Sequence, residues 1–241
     1  MADDAKTTVL ITGANKGLGF TTARRLGEKG WRVLIGSRDA ERGAVAAREL
    51  TEDGLDVTAV TLDVTSDGSV AAAAARIGEE FGRLDVLVNN AGISGAHTST
   101  AETGPDDVRD VYETNVFGPV RVTKAMIPLL ERSDAPRIVM VSSGLGSQVV
   151  TADPERIENS VPGLAYQSSK AALNMLMSQY ARALPGFRVN AADPGYTATD
   201  LNGNSGPQTV QEGTDAIVTL ATVASDGPTG TFVDRDGAMP W

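Results

Sequence analysis

The stretch TTVLITGANKGLG, residues 7–19, joins an apolar run to a turn that carries three glycines. Residues 7–12 are short and rich in Val, Leu and Ile, as is typical of a buried β-strand. The glycines follow at once, at positions 13, 17 and 19. Because glycine adopts positive φ and lets other groups approach the backbone closely, the stretch predicts a strand that turns directly into a helix.

The same alternation continues along the chain. Further apolar runs occupy 31–37, 56–64, 84–90, 137–143 and 187–193, and segments of helical character occupy 18–29, 39–53, 67–81, 105–131, 165–184 and 208–224. Strict alternation predicts parallel strands joined by right-handed crossovers. We therefore expect one α/β domain over 1–241, a doubly wound (Rossmann) parallel sheet of about seven strands with helices on both faces.

Composition narrows the class of protein. The chain has 241 residues, 41% of them apolar and 22% charged, which is ordinary for a globular domain. Its net charge of −10 disfavours binding to nucleic acid or anionic lipid. With no cysteine and one histidine, His97, we expect no disulfide and no metal site; His97 is interpreted as a loop or pocket residue. The acidic start and the lack of long apolar runs predict a cytoplasmic protein without a membrane segment.

The glycine turn predicts a dinucleotide site. The start of a helix presents free N–H groups and a positive dipole end, which suit a pyrophosphate. The order is G-x-x-x-G-x-G, which departs from the common G-x-G-x-x-G pattern. The candidate cofactor residues of this turn are Gly13, Asn15, Lys16, Gly17, Leu18 and Gly19.

Two cations favour NADP over NAD. About 20 residues beyond the glycines an acid usually binds the NAD ribose, whereas an Arg suits the 2′-phosphate of NADP. Arg38 stands at this position, and Lys16 can add a second charge. The alternative is that both are solvated loop cations, with Asp39 beside Arg38.

Tyr166 and Lys170 are four residues apart at the start of a predicted helix. This spacing brings both side chains to one helix face, where they can share a ligand. On its own, however, this spacing is more typical of a solvated helix face.

The motifs together resemble those of the short-chain dehydrogenase/reductase family. They are TGANKGLG (12–19), NNAG (89–92), Asn115 in ETNVFG, VSS (141–143), YQSSK (166–170) and DPGYTAT (193–199), in family order. SRDAERG after the second strand and the ending GPTGTFVDRDGAMPW resemble the NADPH-dependent carbonyl-reductase-like branch, which has a C-terminal strand and a terminal Trp. The resemblance implies NADPH as the cofactor.

The resemblance also implies the catalytic roles. Tyr166 corresponds to the proton donor, and Lys170 to the cation that favours the tyrosinate and binds the nicotinamide ribose. Ser143 corresponds to the hydroxyl that binds the substrate oxygen, with adjacent Ser142 as the alternative. Asn115 corresponds to the residue that holds a water behind the Lys.

Further cofactor contacts follow from the same comparison. Asp63 and Val64 correspond to adenine contacts, Asn89, Ala91 and Gly92 to the lining of the adenosine ribose and nicotinamide side, and Pro194, Gly195, Thr197 and Thr199 to the turn at the carboxamide.

The chain departs from the family in one place, because Ser143 and Tyr166 are more widely separated than in most members. The surplus, at about 146–163, is polar and turn-rich, and we expect it to cover the substrate pocket together with 93–100 and 201–207. Similar insertions in carbonyl-reductase-like members cover a dimerisation surface. This favours a monomer, with a homo-oligomer left open.

The leading hypothesis is an NADPH-dependent reductase of a small aldehyde or ketone. One alternative is an NAD(P)-dependent secondary alcohol dehydrogenase. Another is a non-catalytic NADP(H)-sensing regulatory protein, which would not need both Tyr166 and Lys170.

Overall fold

The computed structural model describes residues 6–96 and 98–241, so the expectation for His97 lies outside the described residues. In this part of the chain seven strands form one parallel sheet with the order β3-β2-β1-β4-β5-β6-β7. The strands are β1 (Thr8–Thr12), β2 (Arg32–Ser37), β3 (Val57–Thr61), β4 (Val86–Asn89), β5 (Arg137–Val141), β6 (Arg188–Ala192) and β7 (Phe232–Val233).

The helices are α1 (Gly17–Gly27), α2 (Ala40–Glu52), α3 (Asp67–Phe81), α4 (Pro105–Tyr112), α5 (Gly118–Leu130), α6 (Gln148–Ala152), α7 (Leu164–Ala183), α8 (Val210–Gly213) and α9 (Asp215–Ala221). Their starts follow local chemistry. The carboxylate of Asp39 accepts the N–H of Arg42 at the start of α2, and Ser66 caps α3 in the same way.

Successive residues of the central strand β1 enter two different cores. Leu10 packs with apolar residues of α3, α5 and α7 on one face of the sheet. Val9 and Ile11 pack with residues of α1, α2 and α9 on the other. All three are fully buried, which stabilises the fold by roughly 1.5–3 kcal/mol per side chain. The predicted doubly wound α/β sheet with helices on both faces is therefore confirmed.

The predicted helix over 105–131 is wrong in one respect, because a π-helical turn, Glu113–Phe117, separates α4 from α5. Asn115 lies in this turn and forms two hydrogen bonds with the backbone of Ile93. An extra residue per turn re-aims a side chain, and here it aims the Asn115 amide at the loop after β4.

The predicted helix over 208–224 is also divided, into α8 and α9, at Thr214. The hydroxyl of this buried residue donates to the Gln211 carbonyl at 2.8 Å and accepts from Arg25 at 2.8 Å. Several predicted strands are too long at their carboxyl ends. The run 56–64, for example, leaves the sheet after Thr61, which frees the residues that follow to form loops.

Candidate active site

The loops after β1, β2, β3, β4, β5 and β6 all lie at the same edge of the parallel sheet, where ligands bind in doubly wound folds. The predicted catalytic and cofactor residues lie at the ends of these strands, in the loops, or in the helical segments that follow. The site is therefore built from segments far apart in the chain.

The glycine turn has the backbone that its sequence predicts. Gly13 and Gly17 have φ of 63° and 57°, a region that favours glycine. A Cβ on Gly19 would lie 2.6 Å from Nδ2 of Asn90 and 2.8 Å from the Gly13 oxygen, whereas a Cβ on Gly17 would meet no atom within 4 Å. Gly19 thus allows close packing, and Gly17 faces open space at the start of α1.

Thr12 and Asn90 fasten this turn to the end of β4. Oγ1 of Thr12 accepts the backbone N–H groups of Asn90 and Ala91, each at 2.9 Å. Nδ2 of Asn90 donates to the Thr12 carbonyl at 2.8 Å and to the Gly13 carbonyl at 3.2 Å. Sequence reasoning missed both residues, although the second Asn of NNAG carried a signal for Asn90.

Asn89 points into the core rather than towards the turn. Its side chain is buried, and Nδ2 donates to Thr123 Oγ1 at 3.0 Å and lies 3.3 Å from the sulfur of Met140. Any contact of Asn89 with a cofactor would therefore come from its backbone. Leu18, by contrast, packs against Gly213 at the end of α8. Asn15 is half-buried in the glycine turn.

The two predicted phosphate cations differ in their surroundings. The exposed Nζ of Lys16 donates to Oδ2 of Asp200 at 2.8 Å, across from the glycine turn to the loop after β6. Arg38 is exposed, and its charge helps to lower the pKa of Asp63. The carboxylate of Asp39 is occupied at the start of α2, so it caps a helix rather than binding a ribose.

Asp63 is held by its own loop. Its Oδ1 accepts the backbone N–H and the hydroxyl of Thr65 at 2.9 and 2.7 Å, and the backbone bond is the main reason its pKa is lowered. Val64 is buried under Gly118, and its carbonyl accepts from Arg121 at 2.6 Å. These contacts fix the loop between β3 and α3.

Asn115 and Lys170 meet beside Gly92. Oδ1 of Asn115 accepts from the N–H of Ile93 at 2.9 Å, while its Nδ2 donates to the Ile93 carbonyl at 2.9 Å and to Ser169 Oγ at 3.1 Å. A Cβ on Gly92 would lie 3.4 Å from Oδ1 of Asn115 and 3.7 Å from Nζ of Lys170. The glycine therefore leaves room for both groups at this point.

The adjacent serines after β5 point to different places. Ser142 is buried and its Oγ donates to Asn174 Oδ1 at 2.6 Å. Ser143 is half-buried, accepts the N–H of Leu145 at 3.2 Å, and hydrogen-bonds to Tyr166. Of the two hydroxyls, Ser143 is the one that reaches the phenol.

Tyr166 and Lys170 lie on one face of α7. The Lys170 Nζ is buried, donates to the Val141 carbonyl at 2.8 Å and lies 5.5 Å from the centroid of the Tyr166 ring. Burial raises the pKa of Tyr166 to about 12, with a further rise from the charge of Asp193 and an opposing effect of Ser143. Burial lowers the pKa of Lys170 to about 8, against an opposing effect of Asp193.

The turn after β6 is closed by its own hydrogen bonds. Thr197 is buried, and its Oγ1 donates to the Pro194 carbonyl at 2.8 Å. Gly195 has φ of 68° and is exposed, and the N–H of Thr199 donates to Asn202 at 3.2 Å. After this turn the chain runs away from the sheet to Asp200, which binds Lys16.

The segment 146–163 is folded rather than extended. It contains α6 and a 3₁₀ turn, Ile157–Ser160. A cavity of about 230 Å³ lies between this segment, the turn after β6 and the end of the chain, and Asp193 reaches its wall. Its lining comprises Arg156, Ile157, Glu158, Asp193, Pro194, Gly195, Tyr196, Pro207, Gln208, Asp234, Arg235 and Asp236. Neither Tyr166 nor Ser143 belongs to that lining, so this cavity borders the catalytic groups without containing them.

Within the described residues, no three His, Cys, Asp or Glu side chains are grouped as a metal site would require. None of the helices described is long and apolar enough to cross a membrane.

The glycine turn fits a dinucleotide. Open space beside Gly17 and positive φ at two glycines leave the backbone accessible at the start of α1, as a pyrophosphate requires. Exposed cations at Lys16 and Arg38 flank the same end of the sheet. Fold and site together define an α/β protein of the dinucleotide-binding class.

Comparison with known proteins narrows this class. Residues 7–209 match the model of a family described as short chain dehydrogenase. (−)-Isopiperitenone reductase of Mentha piperita is 35% identical, over 95% of this chain and 96% of its own, and (+)-neomenthol dehydrogenase of Arabidopsis thaliana is 34% identical over 98% of each. The structure of NADPH-bound carbonyl reductase from chicken fatty liver superposes with a TM-score of 0.86 at 28% identity, covering 98% of this chain and 99% of that one. The chain belongs to the short-chain dehydrogenase family of oxidoreductases, as its motifs predict.

Proposed function

We propose that the protein is an NADPH-dependent reductase that converts a small aldehyde or ketone to an alcohol. The observation that carries the proposal is the convergence of Ser143, Tyr166 and Lys170, with Asn115 behind them, at the carboxyl ends of β4 and β5. The similarity to a protein named isopiperitenone reductase and to an NADPH-bound carbonyl reductase supports both the reaction and the cofactor.

When bound, the cofactor supplies the hydride that becomes attached to the carbonyl carbon. Tyr166 donates its phenolic proton to the carbonyl oxygen, so the C=O bond becomes a C–H and an O–H. The Ser143 hydroxyl donates a hydrogen bond to the same oxygen as negative charge develops on it. The positive charge of Lys170 stabilises the tyrosinate that remains.

Asn115 supports Lys170 from behind. Its amide is fixed by Ile93 and Ser169, so its Oδ1 is held at Gly92 next to the Lys170 ammonium. We propose that Asn115 holds a water molecule behind Lys170, and that a proton returns to Tyr166 through this water.

The remaining predicted residues are proposed to bind the cofactor. The glycine turn holds the pyrophosphate, Lys16 and Arg38 hold the 2′-phosphate, and Asp63 with Val64 contacts the adenine. Ala91 and Gly92, with the backbone of Asn89, line the ribose side. Pro194, Gly195, Thr197 and Thr199 hold the carboxamide. The segment 146–163 is proposed to cover the substrate pocket.

The raised pKa of Tyr166 supports its proposed role as the proton donor. A phenol with a pKa of about 12 is protonated at neutral pH, as the acid of a reduction must be.

The test follows NADPH absorbance with quinones, isatins, α-dicarbonyls and aryl ketones, in the wild type and in Tyr166→Phe. We expect turnover of at least one carbonyl and a loss of roughly 10²–10⁴-fold in kcat/KM in the variant. Tyr180→Phe, on the same helix, is the matched control and keeps its activity. Binding of NADPH without turnover on every carbonyl, with Tyr166→Phe unchanged, would instead support the cofactor-sensing alternative.

Two further proposals concern the state of the protein in the cell. We propose a monomer, because the chain has an insertion beside α7. We also propose a cytoplasmic protein with no nucleic-acid or membrane partner, because the chain carries a net charge of −10. Light scattering tests the first point: a mass near 25.0 kDa supports the monomer, and twice or four times that mass contradicts it. Fractionation of cells tests the second.

A further inference from the structure

Asp193 is a buried acid at the end of β6, immediately before the Pro194–Gly195 turn. Its side chain has 5% of its surface exposed, and its backbone N–H donates to the Val233 carbonyl at 2.8 Å. An aspartate is rarely buried to this degree without a specific partner, so its contacts call for an explanation.

The carboxyl of Asp193 joins two turns of the active site. Oδ1 accepts the N–H of Gly195 at 2.9 Å. The carboxyl also accepts the backbone N–H of Gly144, and a Cβ on Gly144 would lie 3.0 Å from Oδ2. Gly144 directly follows Ser143, whereas Gly195 belongs to the turn proposed to bind the carboxamide. The Asp193 side chain therefore sets the distance between Ser143 and the Pro194–Gly195 turn.

Asp193 also lies among titratable groups from three parts of the chain. They are Tyr166 and Lys170 of α7, Arg156 and Glu158 of the segment 146–163, and Asp234 after β7, with Arg235 and Asp236 further out on the cavity wall. Glu158 pairs with Arg156 at 3.1 Å, and Arg235 pairs with Glu212 at 3.0 Å. Burial raises the pKa of Asp193, as do Asp234 and Glu158, whereas the N–H groups of Gly195 and Gly144 lower it.

We propose that Asp193 is a positioning residue for the carbonyl reduction proposed above: its carboxyl fixes the Ser143 turn against the Pro194–Gly195 turn. This inference rests on the proposed function. The negative charge of Asp193 also raises the pKa of Tyr166 and of Lys170, which supports the protonated form of both groups.

Asp193→Asn tests the proposal with little change of shape. Asn keeps one acceptor oxygen, but its NH₂ group cannot accept the second N–H, and the negative charge is lost. We expect kcat to fall about 5- to 100-fold with KM for the cofactor changed less than kcat. On the alkaline side, where the carboxyl is ionised, the fall in kcat/KM should move to lower pH because Lys170 loses its proton more readily.

Asp236→Asn is the matched control. It removes one carboxylate from the exposed part of the same cavity wall, and its pH profile should superimpose on that of the wild type. Asp193→Ser, which removes the carboxyl group altogether, should shift the profile in the same direction as Asp193→Asn.

A second measurement does not depend on finding a substrate. The chain has four tyrosines, so carbon-13 labelling of the ring carbon that bears the hydroxyl gives few resonances, and Tyr166→Phe identifies the one that belongs to Tyr166. In both Asp193 variants the Tyr166 resonance should titrate at lower pH than in the wild type. This shift is expected even if no carbonyl is reduced, so failure of the enzymatic proposal and failure of this one are distinguishable.

Three results would overturn the proposal. The first is a Tyr166 titration that is the same in Asp193→Asn and the wild type. The second is a wild-type pH profile in both Asp193 variants. The third is loss of the folded state in both Asp193 variants while Asp236→Asn folds, because the residue would then be structural.

Discussion

Lys170 and Tyr166 face each other on α7, with Nζ of Lys170 5.5 Å from the centroid of the Tyr166 ring. The same environment moves their pKa values apart, to about 8 for the ammonium and about 12 for the phenol. Between these values the acid keeps its proton while the cation loses its charge. The alkaline side of the activity profile is therefore expected to report Lys170 and not Tyr166.

Reduction should consequently weaken as the pH rises through about 8. Lys170 is charged below its pKa and neutral above it, so kcat/KM is expected to be highest below that value and to decline above it. Lys170→Arg provides the comparison, because a guanidinium stays charged throughout this range. The variant should be slower at neutral pH but should lack the alkaline decline; a decline of unchanged midpoint would assign it to another group.

Substitution of the two serines after β5 should have different effects, one on catalysis and the other on stability. Ser143→Ala removes the hydroxyl that reaches Tyr166, and we expect kcat/KM to fall roughly 10²–10³-fold with the fold retained. Ser142→Ala leaves Asn174 without its buried donor, and we expect a loss of about 1–3 kcal/mol in the free energy of unfolding. Urea denaturation and steady-state rates on both variants check this, and the reverse pattern would exchange their roles.

Asp200 should weaken the binding of a cofactor that carries a 2′-phosphate. Its carboxylate binds Lys16 at 2.8 Å, and both side chains are exposed, so the ion pair is weak but competes with a phosphate for the same ammonium. Asp200→Asn is expected to lower the Kd for NADPH roughly 1.5- to 5-fold and to leave the Kd for NADH unchanged.

Lys16→Ala and Arg38→Ala should each raise the Kd for NADPH more than that for NADH. Fluorescence titration of these two variants and of Asp200→Asn with both cofactors gives the comparison. Equal changes for the two cofactors would show that these cations do not bind the phosphate.

Gly146 should be intolerant of any side chain. A Cβ there would lie 2.6 Å from the carbonyl carbon of Lys170 and 2.7 Å from its Cβ. Gly146→Ala is therefore expected to cost about 1–3 kcal/mol in the free energy of unfolding and to displace Lys170, with a loss of activity.

Gly68→Ala is the control for Gly146→Ala. Gly68 lies in the first turn of α3, and a Cβ there meets no atom within 4 Å. The change should stabilise the protein by up to about 1 kcal/mol and leave its activity unaltered. Thermal denaturation distinguishes the two, and a well-folded, fully active Gly146→Ala would show that the turn can move away from α7.

The sequence predicts the sheet because most of its strands are buried apolar runs, and local composition carries that signal. It predicts the glycine turn equally well, since positive φ at Gly13 and Gly17 depends on residue type. The π-helical turn at Asn115 escaped prediction because it depends on hydrogen bonds to Ile93, which lies in another loop. No local pattern records such a contact.

The partners of the charged residues could not be predicted from the sequence for the same reason. Lys16 meets Asp200, and the Asp193 carboxyl meets Gly144, only once distant strand ends are brought together. Residue type in a motif was enough to identify candidates at the strand ends. The contacts that tune those residues needed the three-dimensional arrangement.

The tight packing of Gly146 on α7 also indicates where this scaffold can diversify. Between the end of β5 and Gly146 the chain is held against α7. The α6 helix and the 3₁₀ turn that follow have exposed side chains such as Val149 and Ile157. Laboratory evolution towards new substrates should therefore randomise the part after the contact and spare the part before it, so that selectivity changes while the reaction geometry is inherited intact.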